Sequence, residues 1–240
     1  EKLSRFFITR LKQLIQHCCQ DNTFGYTPSD FTLAHLTQTH LDTSFRDIPH
    51  IENIYPLSPM QSGLLFQALY APESDAYFVQ SVFELEGEID IPALKRAWQK
   101  ISDHHPILRT GFIWRDGAES EQYVLESVDV PFEVKDWQDL EGHQQDERLE
   151  VFLQEDRKKG FDLSKAPLFR LSLIQCAADR CYLIWSQHHI LTDGWCLSII
   201  LGDVFKAYES LRQGREVHFK VSRPYRDYIA WLQEQDLDKA

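Results

Sequence analysis

The tightest constraint on the fold lies between Pro167 and Tyr208, where the hydrophobic spacing changes its period. Pro167–Ile174 and Arg180–Gln187 are apolar, rich in β-branched and aromatic residues, and read as strands. The break between them is short enough for an antiparallel hairpin. From Leu197 to Tyr208 the apolar residues recur at helical spacing instead. Strand and helix are joined through Ser186-Gln187-His188-His189-Ile190-Leu191-Thr192-Asp193-Gly194-Trp195. Two histidines thus stand at a strand end, an Asp-Gly turn comes next, and a helix starts near Trp195. At such a junction side chains and backbone N–H groups converge, and a ligand can be held there.

The elements around this unit are legible by the same rules. Tyr77–Gly87 alternates and reads as a strand closed by Gly87. Asp90-Ile91-Pro92 opens a helix whose apolar face is Leu94, Ala97, Trp98 and Ile101, and which ends near His104-His105-Pro106. Ile107–Trp114, Gln122–Leu125 and Pro131–Lys135 are predicted as strands. Residues 138–159 form a charged helix with Leu149, Phe152 and Leu153 inward, finished by Lys158, Lys159 and Gly160. Ser58 is the expected N-cap of a helix running to about Tyr70, with Pro59 at its first position and Gln61 closing a capping box. A last helix begins near Ser222–Tyr225. The expected class is α/β, with a central mixed β-sheet flanked by helices. Ahead of this, residues 3–20 spell an amphipathic helix with Leu3, Phe6, Phe7, Leu11, Leu14 and Ile15 on its apolar side. Residues 21–31 carry turn signals and look extended, although Ser29 or Asp30 could cap a short helix.

Several function classes are disfavoured. A net charge of −12 opposes nucleic acid, whose phosphates would be repelled. No apolar run approaches the ~20 residues of a membrane span, and no signal peptide is visible. The five cysteines are odd in number and match neither a disulfide framework nor a zinc pattern, so a reducing cytoplasm is the expected setting. Cys196 near the histidines raises the question of a thiol nucleophile, but a thiol at a helix start is already explained by packing. His104 and His105 suit a helix C-terminus, and no third ligand at metal-site spacing accompanies them. The chain lacks an initiator Met, so it is expected to be a piece of something longer.

Four motifs, in order, carry a family resemblance. His188-His189-x-x-x-Asp193-Gly194-Trp195 resembles the core motif of the condensation domains of nonribosomal peptide synthetases. Its shorter form is shared by the wider chloramphenicol-acetyltransferase-like superfamily. Tyr55-Pro56-Leu57-Ser58-Pro59-Met60-Gln61-x-Gly63-x-Leu65-Phe66 is similar to the family's first motif, in the version of the subtype that takes a D-configured donor. His105-x-x-Leu108-Arg109-Thr110-x-Phe112 resembles the second motif, and Tyr225-x-Asp227-Tyr228-x-x-Trp231 the fourth. Tyr26-Thr27-Pro28-Ser29-Asp30-Phe31 is similar to the linker that comes after an epimerisation or condensation domain. The resemblance therefore implies three segments. Residues 1–20 would be the C-terminal helix of a preceding domain, residues 21–48 an interdomain linker, and residues 49–240 the N-terminal lobe of a condensation domain, about half of it.

What the resemblance implies chemically is peptide-bond formation between a donor thioester and an acceptor aminoacyl thioester. No cofactor is bound directly; both substrates ride on phosphopantetheine arms of partner carrier proteins. The other partners are adjacent synthetase domains, including the C-terminal lobe. His189 is the leading catalytic candidate, as base, amine holder or oxyanion donor. His188 is read as a packed imidazole. Asp193 is read as a structural carboxylate that pairs with an arginine, either Arg109 or one from the C-terminal lobe, or with backbone N–H groups. Gly194 would let the backbone approach the substrate, and Trp195 is placed in the core. Ser58, Met60 and Gln61 sit on the segment that lines the acceptor channel in the family. The alternatives are a coenzyme A-dependent acyltransferase of the same superfamily and a noncatalytic carrier-docking module.

Overall fold

The computed structural model describes residues 2–18, 25–71, 74–115, 119–220 and 223–235. It divides into two units, Glu1–Pro49 and His50–Ala240. In the first unit, α1 (Lys2–Cys18) is the expected N-terminal helix, and Leu3, Phe6, Phe7, Leu11, Leu14 and Ile15 are all exposed on it. Residues 19–20 of the predicted helix and 21–24 of the turn-rich stretch lie outside the described residues. The stretch from Tyr26 to Phe31 is less extended than the sequence suggests. Pro28–Asp30 is a 3₁₀ turn, and its cap is Thr27 rather than Ser29 or Asp30. The Asp30 carboxylate accepts from Thr27 N at 2.7 Å. After it comes α2 (Gln38–Ser44), where the Thr37 hydroxyl accepts from His40 N. Phe31, Leu36, Leu41 and Phe45 are buried.

The second unit opens with β1 (Ile51–Pro56) and α3 (Pro59–Tyr70). Ser58 caps α3, with Gln61 reciprocating onto Ser58 N at 3.0 Å. Next come β2 (Phe78–Glu86), α4 (Ile91–His104), β3 (Thr110–Ile113), β4 (Glu121–Leu125), β5 (Phe132–Asp136) and α5 (Gly142–Lys159). The remaining elements are β6 (Phe169–Ala177), β7 (Arg180–His188), α6 (Gly194–Arg212) and α7 (Tyr225–Gln233). Gly160 ends α5 at φ +55°, a left-handed conformation that suits glycine.

The strands form two sheets rather than one. The smaller is antiparallel in the order β1-β4-β3; the larger runs β2-β7-β6-β5, with only β5 and β6 parallel. β6 and β7 are the predicted hairpin, in register from Phe169 opposite Gln187 to Leu173 opposite Leu183. Both faces of this hairpin are covered. Leu171, Leu173, Leu183 and Trp185 pack with Leu94, Trp98 and Ile101 of α4 and Ile200 and Val204 of α6. Ile174, Cys176 and Ile184 pack on the other side with Trp137 and with Phe152 of α5. Double coverage explains why these strands read as near-continuous apolar runs.

One predicted strand starts late. Pro106–Arg109 is a 3₁₀ turn, and β3 begins only at Thr110. Pro106 fixes the turn's first position, and the Thr110 hydroxyl donates back to Pro106 O at 3.0 Å. Gly111 then lies so near Tyr123 that a Cβ would sit 2.5 Å from its ring. The adjoining His105 faces α6 as well as ending α4. Burial, with His104 beside it, lowers its pKa, and its Nε2 stands 3.5 Å from Asp203 of α6.

Candidate active site

The loop after β7 is anchored before it presents anything. Below it lies a buried carboxylate, Asp156, which accepts from Ser186 Oγ at 2.6 Å, Arg170 Nε at 2.6 Å and Gln80 Nε2 at 2.8 Å. Burial works against that charge, but the bonds from Arg170 and Ser186 override it and hold Asp156 below the usual carboxylate range. This ties α5, β2, β6 and β7 together two residues before His188. Beyond the ladder His189 N donates to Tyr77 O at 2.8 Å, and Leu191 N to His188 O at 3.1 Å. Ile190 and Leu191 turn inward among Leu65, Phe112, Leu163 and Leu168. The apolar residues of the motif are thus its footing, and His189 and Asp193 are left exposed.

The two histidines carry opposite tautomers. His189 Nδ1 lies 2.6 Å from Thr192 O. A carbonyl only accepts, so Nδ1 holds the proton and the neutral ring keeps its lone pair on Nε2. His188 Nδ1 accepts from Ile190 N at 3.2 Å, which puts its ring proton on Nε2. Burial, with His189 adding to it, pushes His188 from 6.5 down to about 4. His188 is therefore neutral at physiological pH. It forms part of the wall of a cleft of about 760 Å³, beside Tyr77, Phe78, Trp114, Phe161 and Leu163.

Asp193 is the N-cap of α6: its Oδ1 accepts from Trp195 N and Cys196 N, each at 3.0 Å. Those bonds, that from Cys196 foremost, hold Asp193 below its usual range. Arg109 is not its partner. The Arg109 guanidinium is buried in the 3₁₀ turn, 2.7 Å from Glu52, and donates to the carbonyls of Ser102, Asp103, Leu125 and Glu126. Trp195, expected in the core, is 83% exposed, because α6 buries the face of Ile200, Val204 and Ala207. At Gly194 an added Cβ would meet nothing within 4 Å, so open space faces this backbone.

Ser58 and Gln61 are held within the lobe. Both are buried: Ser58 in the cap, Gln61 in a reciprocal amide pair with Gln122 at 3.1 and 2.8 Å. Tyr225 OH of α7 adds a bond to Gln61 Oε1 at 3.2 Å. Met60, on the same first turn of the helix, is 75% exposed. Burial raises the Cys196 thiol above its usual range, which does not favour a nucleophilic thiolate. Among the described residues no group of three or more His, Cys, Asp or Glu is placed to hold a metal ion, and no helix is long and apolar enough to cross a membrane.

Residues 51–240 match the family model described as "Condensation domain". The chain belongs to the condensation domain family. It is 40% identical over 234 residues to a linear gramicidin synthase of Brevibacillus parabrevis, covering 98% of this chain and 5% of that protein. It is likewise 40% identical over 234 residues to bacitracin synthase 3 of Bacillus licheniformis, covering 96% of this chain and 4% of that one. The chain thus spans about a twentieth of the length of these relatives. The starter condensation domain of rhizomide synthetase superposes at a TM-score of 0.67, with 20% identity, covering 76% of this chain and 46% of that one. The first condensation domain of the calcium-dependent antibiotic synthetase gives 0.66, 19%, 75% and 43%. These structures establish the fold, the chloramphenicol-acetyltransferase-like α/β architecture.

Three residues of this condensation domain that hold His189 carry no signal in the sequence. Thr192 lies inside the motif but acts through its carbonyl, which no side-chain pattern reveals. Gln187 bonds the Thr192 hydroxyl at 3.0 Å. Tyr77 supplies a carbonyl from more than a hundred residues away, at the entry to β2.

Proposed function

We propose that residues 49–240 are the N-terminal lobe of a condensation domain in a nonribosomal peptide synthetase, and that the complete domain forms a peptide bond. In that reaction the acceptor's α-amine attacks the donor's thioester carbonyl. A C–N bond forms, the C–S bond breaks, and the amine's proton leaves as the phosphopantetheine thiol is released. The observation that carries the reading is the His189 ring. Its Nδ1–H is committed to Thr192 O, so in the neutral ring the lone pair is on Nε2, on an exposed loop. Such a nitrogen can take the amine's proton as the bond forms, a contribution of about 10²–10⁴-fold. It can equally hold the amine in line, and protonated it can donate to the developing oxyanion.

The partners in this reading are two carrier proteins with their phosphopantetheine arms, the C-terminal lobe and neighbouring synthetase domains. The curated relatives that support it are peptide synthases, which favours carrier-borne thioesters over coenzyme A. Residues 1–20 are proposed as the end of an upstream domain and 21–48 as the linker. A D-configured donor fits the first motif, and the cytoplasm fits the cysteine usage. The lobe supplies one wall of the site, so alone it leaves water in contact with His189 and the arms unaligned.

The test is dipeptide formation by the intact module with both carriers loaded, and by the 240-residue chain alone. His189→Ala is expected to cut turnover of the module by about 10²-fold or more, and the chain alone to show none. Full turnover in the His189→Ala module overturns the role of His189. Robust dipeptide formation by the isolated chain overturns the half-domain reading.

A further inference from the structure

We propose that Thr192 and Gln187 are positioning residues that set the ring orientation and tautomer of His189. The inference deepens the function proposed above and rests on it. The carbonyl that fixes the His189 proton belongs to Thr192, in the middle of a turn with no ladder to orient its peptide plane. What orients it is the Thr192 side chain. Its hydroxyl, on a residue only 5% exposed, donates to Gln187 Oε1 at 3.0 Å, and Gln187 is 3% exposed. The backbone of Gln187 is paired on both sides in the centre of the larger sheet, opposite Val79 of β2 on one side and Phe169 of β6 on the other. The path from sheet to imidazole is therefore continuous: strand β7, the Gln187 amide, the Thr192 hydroxyl, the Thr192 carbonyl, and His189 Nδ1–H.

The two ends of the loop are already fixed by His189 N on Tyr77 O and by the Asp193 cap. Between them the Gln187–Thr192 bond is the element that decides where the carbonyl points. Without it the Thr192 peptide loses its side-chain restraint and is held only from the Asp193 side. A neutral imidazole that loses its acceptor at Nδ1 can place the proton on Nε2, and Nε2–H can no longer accept from an amine. At metal centres, removing the group that holds a ligating imidazole through its other nitrogen changes affinity or activity by about 10–100-fold, and an effect of that order is expected for His189.

The experiment uses the intact condensation domain containing this chain, with ¹⁵N-labelled histidine. Nitrogen chemical shifts read the His189 tautomer without any substrate, and dipeptide formation is measured alongside. In Thr192→Val, which keeps shape and branching but removes the hydroxyl, the shifts are expected to move toward a mixed tautomer. kcat is expected to fall by about 10-fold or more with KM little changed. Thr192→Ser is expected to restore both. Gln187→Met removes the same bond from its other end, and the double variant should be no worse than either single one. An Nδ1–H tautomer and wild-type kcat in Thr192→Val overturn the proposal. So does loss of fold in both single variants, which makes the pair structural. If His189→Ala leaves turnover intact while the tautomer still shifts in Thr192→Val, the positioning stands and the catalytic reading falls.

Discussion

Replacing Asp193 by alanine removes the acceptor shared by two N–H groups at the start of α6, both at 3.0 Å. Water reaches this exposed turn, so the loss is that of an ordinary N-cap, about 1 kcal/mol. The carboxylate also faces the positive end of a 19-residue helix, worth about 0.3–1 kcal/mol at an exposed site. Together these come to about 1–2 kcal/mol. For a folded unit of this size each kcal/mol moves Tm by about 2–4 °C, so Asp193→Ala should melt about 2–8 °C lower. Asp193→Asn keeps an oxygen for the cap and gives up only the charge, and should fall by about 1–4 °C. The pH dependence has a definite sign. The folded pKa lies below the ordinary 3.8, so the charge contributes fully above 3.8 and is lost as pH falls through the folded value. The difference in Tm between the wild type and Asp193→Asn should close on acidification below that point. Thermal unfolding followed by circular dichroism at neutral pH and at a series of pH values below 3.8 measures all of this. In the intact module, turnover of the alanine variant should fall together with the folded fraction. An Asp193→Ala protein that melts like the wild type but has lost turnover would refute the capping argument and assign the carboxylate to the chemistry.

Two further substitutions test the surroundings. The His188 imidazole is buried and its pKa is lowered from 6.5 to about 4, so folding should weaken by about 3 kcal/mol as pH falls from 6.5 past 4. His188→Asn, whose side-chain oxygen can still accept from Ile190 N, should flatten that slope in urea titrations; an unchanged slope places the titrating group elsewhere. Arg109→Met leaves several carbonyls without their shared donor and should cost about 1–3 kcal/mol in urea unfolding, Glu52 adding little because its side chain is 40% exposed, with Arg109→Lys rescuing little. Rescue by lysine would mean that charge alone, rather than the guanidinium's fork of donors, holds the 3₁₀ turn.

Elements whose signals are local were legible in the sequence. The Ser58–Gln61 capping box, the Asp90 cap, Gly160 after α5 and the β6–β7 hairpin all depend on residues a few positions apart, and the structure contains each of them. Errors arose where a long-range partner decides the outcome. Arg109 has more than one carboxylate available in the sequence, and only the approach of β1 makes Glu52 the nearer one. Gln61 closes the expected capping box, but its further pairing with Gln122 on β4 is a long-range contact that no local pattern shows. Trp195 failed for a different reason. α6 is apolar on more than one face, with Trp195, Ile199 and Phe205 exposed while Ile200 and Val204 are buried, and periodicity alone cannot say which face meets the sheet.

The adjacent histidines show how one loop gives neighbouring, identical side chains different chemistry. The strand ends at His188, whose ring stays with the buried side of the sheet; one residue later the turn carries His189 outward. The backbone then sets each tautomer by what it offers to Nδ1. To His188 it offers the N–H of Ile190, so that nitrogen must be bare, and burial keeps the ring neutral well below physiological pH. To His189 it offers the carbonyl of Thr192, so that nitrogen must be protonated and the lone pair is left on Nε2. A four-residue spacing from His189 to Asp193 accommodates the second offer and the helix cap together. It lets Ile190 and Leu191 bury themselves, turns the Thr192 carbonyl back toward the ring, and still delivers a carboxylate to the first N–H groups of α6. Adding or removing one residue would break either the imidazole contact or the cap, so the spacing follows from hydrogen-bond geometry as much as from the reaction the loop serves.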